Sequence, residues 1–190
     1  VHKSLKDLRF DIGYYIVGNV KVSETFHAPI LLNCSSTEKV SGKSIEIEIL
    51  NENSFLMTDE ETSEVRTCNF DEEFIFHDSK MSVSINTNFQ FDTEMELPKS
   101  VVKFYNLKYL TQSYQKKIIT SQKDRESTVL NISILSEDQL KGVTFLNQLT
   151  YNYIQKEIEE KNIASNNTVK FINDQLIEMS DSLTLIEQRI

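Results

Sequence analysis

At 190 residues, with 39% apolar and 26% charged content, the chain is long enough for one domain with a real core and is too apolar for a disordered segment. Its net charge is −9 and its pI near 4.9, and its twenty Lys and Arg residues are scattered, with Lys116-Lys117 the only basic doublet, so nucleic acid is not an expected partner. No window approaches the ~20 consecutive apolar residues of a bilayer span, and Val1-His2-Lys3-Ser4-Leu5 lacks the hydrophobic core of a signal peptide. The parent protein is therefore either soluble or has its membrane segments outside this chain.

Residues 2 to 9 read as a short helical turn with Leu5 and Leu8 inward, followed by an aromatic strand over 10–18 that ends in a turn at Gly18-Asn19. Val20 to Phe26 alternates again and stops before Pro29. Residues 43–105 change period. Ile45, Ile47 and Ile49 face one way while Ser44, Glu46 and Glu48 face the other, the signature of a half-buried strand. Short runs follow at 54–57, 65–70, 73–76, 81–85, 88–91 and 101–105, separated by polar turns. Strands this short and this sequential predict an antiparallel sandwich or jelly-roll-like insert.

Leu107, Leu110, Tyr114 and Ile118 return to helical spacing, Ser121 to Ser127 reads as a loop, and Thr128 to Leu135 reads as a strand. A long helix then begins. Ser136 with Gln139 three residues on forms a capping-box pattern, and Glu137 and Asp138 suit the positive end of the helix dipole. From Ser136 onward there is no proline and one glycine, Gly142. A helix of roughly 54 residues at ~1.5 Å each would be about 80 Å long, so it is expected to protrude. Over its last part Ile172, Leu176, Met179, Leu183, Ile186 and Ile190 step by four, three, four, three and four residues, the a/d seam of a helix that packs on another long helix. The seam runs to the last residue without a C-cap, so the chain is expected to be an excised piece whose arm continues. The stripe serves either a returning helix of the same chain or neighbouring subunits, with Ile177 and Leu185 as off-seam contacts for the latter.

Candidate chemistry is sparse. His2, His27 and His77 have no ligand-like spacing, and no metal site is expected. Asp59-Glu60-Glu61 and Asp71-Glu72-Glu73 read as solvated charge in turns, and no GxSxG or GxxxxGK[ST] motif occurs, so neither a catalytic residue nor a cofactor is assigned. Glu157 and Lys161, four apart, are expected to pair. Cys34 and Cys68 form no CxxC and are compatible either with a disulfide in an oxidising compartment or with two buried thiols.

Several segments together resemble a family: Val129 to Ile134, Asn147 to Ile154, Ile158 to Lys161, Phe171 to Leu176 and Leu183 to Glu187, with Leu8 to Gly18 near the start. They are similar to the periplasmic region of polysaccharide co-polymerases, the chain-length determinants that include bacterial tyrosine autokinases of capsule and exopolysaccharide export. Phe70-Asp71-Glu72-Glu73 resembles a recurring turn of that family, with Asp71 where glycine is expected. The change of period divides the expected α+β fold into a base, residues 1–42 and 106–190, and an inserted β-rich subdomain, 43–105. The resemblance implies that the base is a membrane-proximal α/β unit with a protruding, truncated helical arm. It also implies a ring of copies on the periplasmic side of the inner membrane, held by flanking membrane helices. The partners implied are the polysaccharide polymerase, the export machinery and glycan. No enzyme activity of its own is expected of this chain, since phosphate loop, nucleophile elbow and ligand cluster are all missing, and in the autokinase branch the resemblance implies a kinase in a separate cytoplasmic domain. A periplasmic adaptor of a secretion or efflux system also joins a β-rich domain to a helical hairpin, but its glycine-rich strands fit poorly with four glycines.

Overall fold

Alternation of buried and less buried residues marks the strands Ile30–Cys34, Ser44–Ile49, Ser54–Asp59 and Ser79–Ile85. The computed structural model describes residues 1–18, 22–89, 99–122 and 129–187, with side chains as far as Ser180. In chain order the elements are α1 (His2–Asp7), β1 (Ile12–Val17), β2 (Val22–Thr25), β3 (Ile30–Cys34), β4 (Ser44–Ile49), β5 (Ser54–Asp59), β6 (Val65–Asn69), β7 (Phe74–Phe76), β8 (Ser79–Ile85) and β9 (Lys99–Phe104). Then come α2 (Leu107–Lys117), β10 (Ile118–Gln122), β11 (Leu130–Ile134) and α3 (Gln139–Glu187). The fold is mixed α+β, and every strand pairing among the described residues is antiparallel.

Two compact units are present, Val1–Gln148 and Leu149–Ile190, the second formed by the later part of α3. Within the first unit a six-stranded sheet has the order β2-β1-β9-β4-β5-β6 and a three-stranded sheet the order β3-β8-β7. On β4, Ile45 and Ile47 are fully buried and Ile49 nearly so, while Ser44, Glu46 and Glu48 on the other face keep partial access to water. Burying each such isoleucine is worth about 1.5–3 kcal/mol. They join Phe55 and Met57 of β5, Val102 and Phe104 of β9, Ile30 and Leu32 of β3 and Met81 and Val83 of β8 in one hydrophobic cluster, so both sheets share a core.

That sharing corrects the expected domain division. Residues 43–105 do not stand apart from 1–42: β9 lies between β1 and β4, in register Tyr14↔Val102 and Ile45↔Val102, and β3 pairs with β8. The period-2 pattern reports strands but not their neighbours, and here non-consecutive strands pair.

Other boundaries shift for local reasons. A strand appears at Ile30–Cys34, directly after Pro29, where none is expected. Asn88 and Phe89 lie in a turn closed by the Phe89 N–H to Asn86 carbonyl bond rather than in a strand, and Gln90 and Phe91 lie outside the described residues, as does Asn19 of the Gly18-Asn19 turn. The helix ends at Lys117: Ile118 is extended at φ −78° and ψ 127°, and Ile118-Ile119-Thr120, β-branched throughout, opens β10 within the expected helix and loop. Asp71 adopts φ +62°, the left-handed region that glycine enters freely and aspartate tolerates, which accounts for the glycine expected there.

Candidate functional site: an exposed heptad face on the last helix

α3 starts where Asp138, not Ser136, caps it. Asp138 Oδ1 accepts from the Lys141 N–H at 3.0 Å and Oδ2 from the Phe26 N–H at 3.1 Å, tying the helix start to the connection after β2. Burial pushes the Asp138 carboxyl up, but the Lys141, Phe26 and Leu140 N–H groups outweigh it and hold the carboxyl below its ordinary range. Ser136 instead donates its hydroxyl to the Asp138 carbonyl at 2.7 Å. Both residues fit a cap, and the one that bonds two backbone segments wins. Further fixation comes from Lys141, whose Nζ bonds the Glu24 carboxylate and lies 4.9 Å from the Phe10 ring centroid. One turn on, Phe145 is fully buried against Tyr114 at 4.8 Å and Phe10 at 6.4 Å between ring centroids.

In the second unit the helix stands almost wholly in solvent. Seam residues Ile172, Leu176 and Met179 are 51%, 58% and 66% exposed, and the off-seam Ile177 is exposed as well. The side chains of Leu183, Leu185 and Ile186, and Ile190 altogether, lie outside the described residues. Stepping back from Ile172 by the same heptad reaches Val169, Ile158 and Tyr151, each about half exposed, with polar Gln155, Asn162 and Ser165 between them. The flanks beside Val169 to Met179 are uncharged: Asn166, Thr168, Asn173, Gln175 and Ser180. With these neutral shoulders, no charge beside Val169 to Met179 would repel a close neighbour.

Local contacts support the helix only weakly. Lys156 pairs with Glu160 at 3.5 Å, and Glu157, expected to pair with Lys161, accepts the Tyr153 hydroxyl at 2.7 Å. Each such contact adds about 0.2–0.5 kcal/mol, little against the cost of ordering several turns.

The three histidines are scattered: His2 contacts the Thr111 hydroxyl, His27 follows β2, and His77 sits in the β7–β8 turn at φ +42°. Among the described residues no group of His, Cys, Asp and Glu has the arrangement of a metal site. Cys34 and Cys68 are free thiols, half buried against the core.

Asp59 differs from the solvated charge expected of it. It is 6% exposed and accepts from the Glu61 N–H and the Thr62 hydroxyl, each at 2.9 Å, and meets His77 Nε2 at 3.0 Å, linking the ends of β5 and β7. Burial raises its proton affinity, but those hydrogen bonds prevail and hold the carboxyl below its ordinary value. A depressed folded-state pKa gives stability that is present above the unfolded value, about 3.9, and is lost as pH falls through the folded value. Asp59→Asn should therefore cost about 1–3 kcal/mol at neutral pH and little at pH ~2. Thermal melts of both proteins across that range measure it, and an equal gap at both ends would refute the assignment. Its sequence signal was Asp59 closing the buried alternation of Phe55 and Met57.

Compared with protein-family models and with curated proteins, the chain matches none.

Proposed function

We propose that the chain is the periplasmic region of a polysaccharide co-polymerase, a scaffold that sets the length of a capsular or exopolysaccharide by assembling on the periplasmic side of the bacterial inner membrane. The reading rests on the resemblance of Val129 to Ile134, Asn147 to Ile154 and Phe171 to Leu176 to that family. The observation that carries it is the exposed helical face of Ile172, Leu176 and Met179 on a 49-residue helix. A face with this spacing suits a second helix that covers it in the working assembly. The Val1–Gln148 unit then acts as the base that fixes the first turns of α3 through Asp138, Lys141 and Phe145. In this scheme the region itself turns over neither ATP nor glycan, and the polymerase and exporter are its partners.

The test is a complementation assay in a bacterium lacking its own chain-length determinant, with the parent protein carrying Ile172→Asp and Leu176→Asp together. Because both side chains are more than half exposed, the isolated chain should lose less than about 0.5 kcal/mol of stability. Polymer length, read from a gel ladder, should lose its modal distribution. A wild-type ladder from the doubly substituted protein would overturn the reading.

A further inference from the structure

The first unit carries a groove of about 580 Å³ beside the start of α2, and its lining contains no charged side chain. Ser41 and Gly42 come from the segment before β4, Tyr105 and Asn106 follow β9, and Tyr109 and Ser113 lie four apart on α2. We infer that this groove binds an uncharged stretch of glycan, with the Tyr105 and Tyr109 rings as stacking platforms and the Ser41, Asn106 and Ser113 side chains as hydrogen-bonding partners. The inference rests on the polysaccharide reading above for the class of ligand that reaches the groove.

Its chemistry is the argument. A sugar ring offers an apolar C–H face and a rim of hydroxyls, and it is matched by an aromatic face set among neutral donors and acceptors. Tyr109 is 71% exposed, so most of its ring is open to a ligand from solvent. Tyr105 is held in place rather than mobile. Its N–H donates to the Asp11 carbonyl at 2.7 Å, its hydroxyl meets that of Tyr15, and its ring lies across Gly13, where an added Cβ would come within 2.6 Å of Cε2. Asn106 spends its Oδ1 on the Lys108 and Tyr109 N–H groups as the cap of α2, which fixes its position and leaves the Nδ2 group as a donor. Gly42, at φ +84° with no atom within 4 Å of a built Cβ, keeps one wall open. A preformed ring, a fixed amide and an open neutral groove favour a chain of neutral sugars over a charged ligand, for which no counter-charge lines the groove.

The test is a titration of the 190-residue chain with maltohexaose, cellohexaose and chitohexaose to about 10 mM, following the ring signals of 13C-labelled tyrosine by NMR. At least one of these sugars should shift the Tyr105 and Tyr109 rings, with a Kd of about 1 mM, and leave the Tyr153 ring on α3 unmoved. Tyr109→Ala should weaken binding about tenfold, whereas Tyr109→Phe, which keeps the platform, should hold it within about twofold. Gly13→Ala, which displaces the Tyr105 ring, should also weaken it. No shift with any of the sugars, or a shift that survives Tyr109→Ala, overturns the proposal. So does a response only to a proline-rich peptide, the other class of ligand that aromatic grooves take. The two readings fail separately. Silent rings with polymer length still dependent on the Ile172 and Leu176 face remove the groove alone, and responding rings with length indifferent to that face remove the functional reading alone.

Discussion

Replacing Phe145 by alanine should lower the stability of the Val1–Gln148 unit by about 3–5 kcal/mol. The ring is fully buried, with centroids 4.8 Å from Tyr114 and 6.4 Å from Phe10. Its neighbours have little freedom to fill the space. Phe10 sits in a turn closed by its own N–H to the Leu5 carbonyl and by the Ile12 N–H to the Arg9 carbonyl, and Tyr114 is one turn from the end of α2. The cavity term therefore adds almost fully to the transfer term. In a chain of this length the loss corresponds to a fall in Tm of roughly 10 °C. With no tryptophan present, the near-ultraviolet dichroism of the tyrosines, Tyr114 among them, follows the transition. Phe171→Ala is the matched control: that ring is 64% exposed on α3, so its removal should change Tm by little. Comparable losses from both would mean that the first turns of α3 are not anchored by Phe145.

The elements were legible wherever one physical signal acted alone. Ile45, Ile47 and Ile49 announce β4 because one face meets the core and the other meets water, and the same alternation gives β5 and β8. The signal fails where it has nothing to alternate with. β9 is buried at three successive positions, Ser100, Val101 and Val102, so its centrality does not show as a period. Nor does alternation say which strands meet. β1 and β9 lie more than eighty residues apart in sequence, and only the match of their buried residues across the sheet brings them together, which is why a separate insert over 43–105 was expected and a shared sheet was found.

The site divides in the same way. The helical spacing of Ile172, Leu176 and Met179 is readable because a heptad step survives in any environment, and their exposure adds that none of the described residues covers them. The groove beside α2 was not readable. Ser41, Tyr105 and Tyr109 are brought together by three connections with no common spacing, and neutral residues leave no charge pattern to notice. Asp59 went unrecognised for a related reason: its partner His77 lies in a turn eighteen residues away, and acidic runs in turns ordinarily face water.

The Lys141–Glu24 pair should behave as a buried pair and not as a surface one. The lysine side chain is 11% exposed and the glutamate 22%, and Nζ also lies over the Phe10 ring. Lys141→Met keeps the volume and the contact with the ring but leaves a largely desolvated carboxylate without its cation. The expected cost is about 3 kcal/mol, at the lower end for a broken buried pair because water still reaches part of Glu24. Glu24→Leu alone strands the ammonium and should cost a similar amount. The double variant, with neither charge left to desolvate, should lose no more than either single variant, about 3 kcal/mol instead of the sum of about 6, giving a coupling energy of about 3 kcal/mol between the sites. Urea titrations of the four proteins complete the cycle, and repeating them at ~1 M salt should leave the coupling nearly unchanged, since a shielded pair is poorly screened. Additive losses, or a coupling abolished by salt, would place the pair at the surface. The start of α3 would then be held by Asp138 and Phe145 alone.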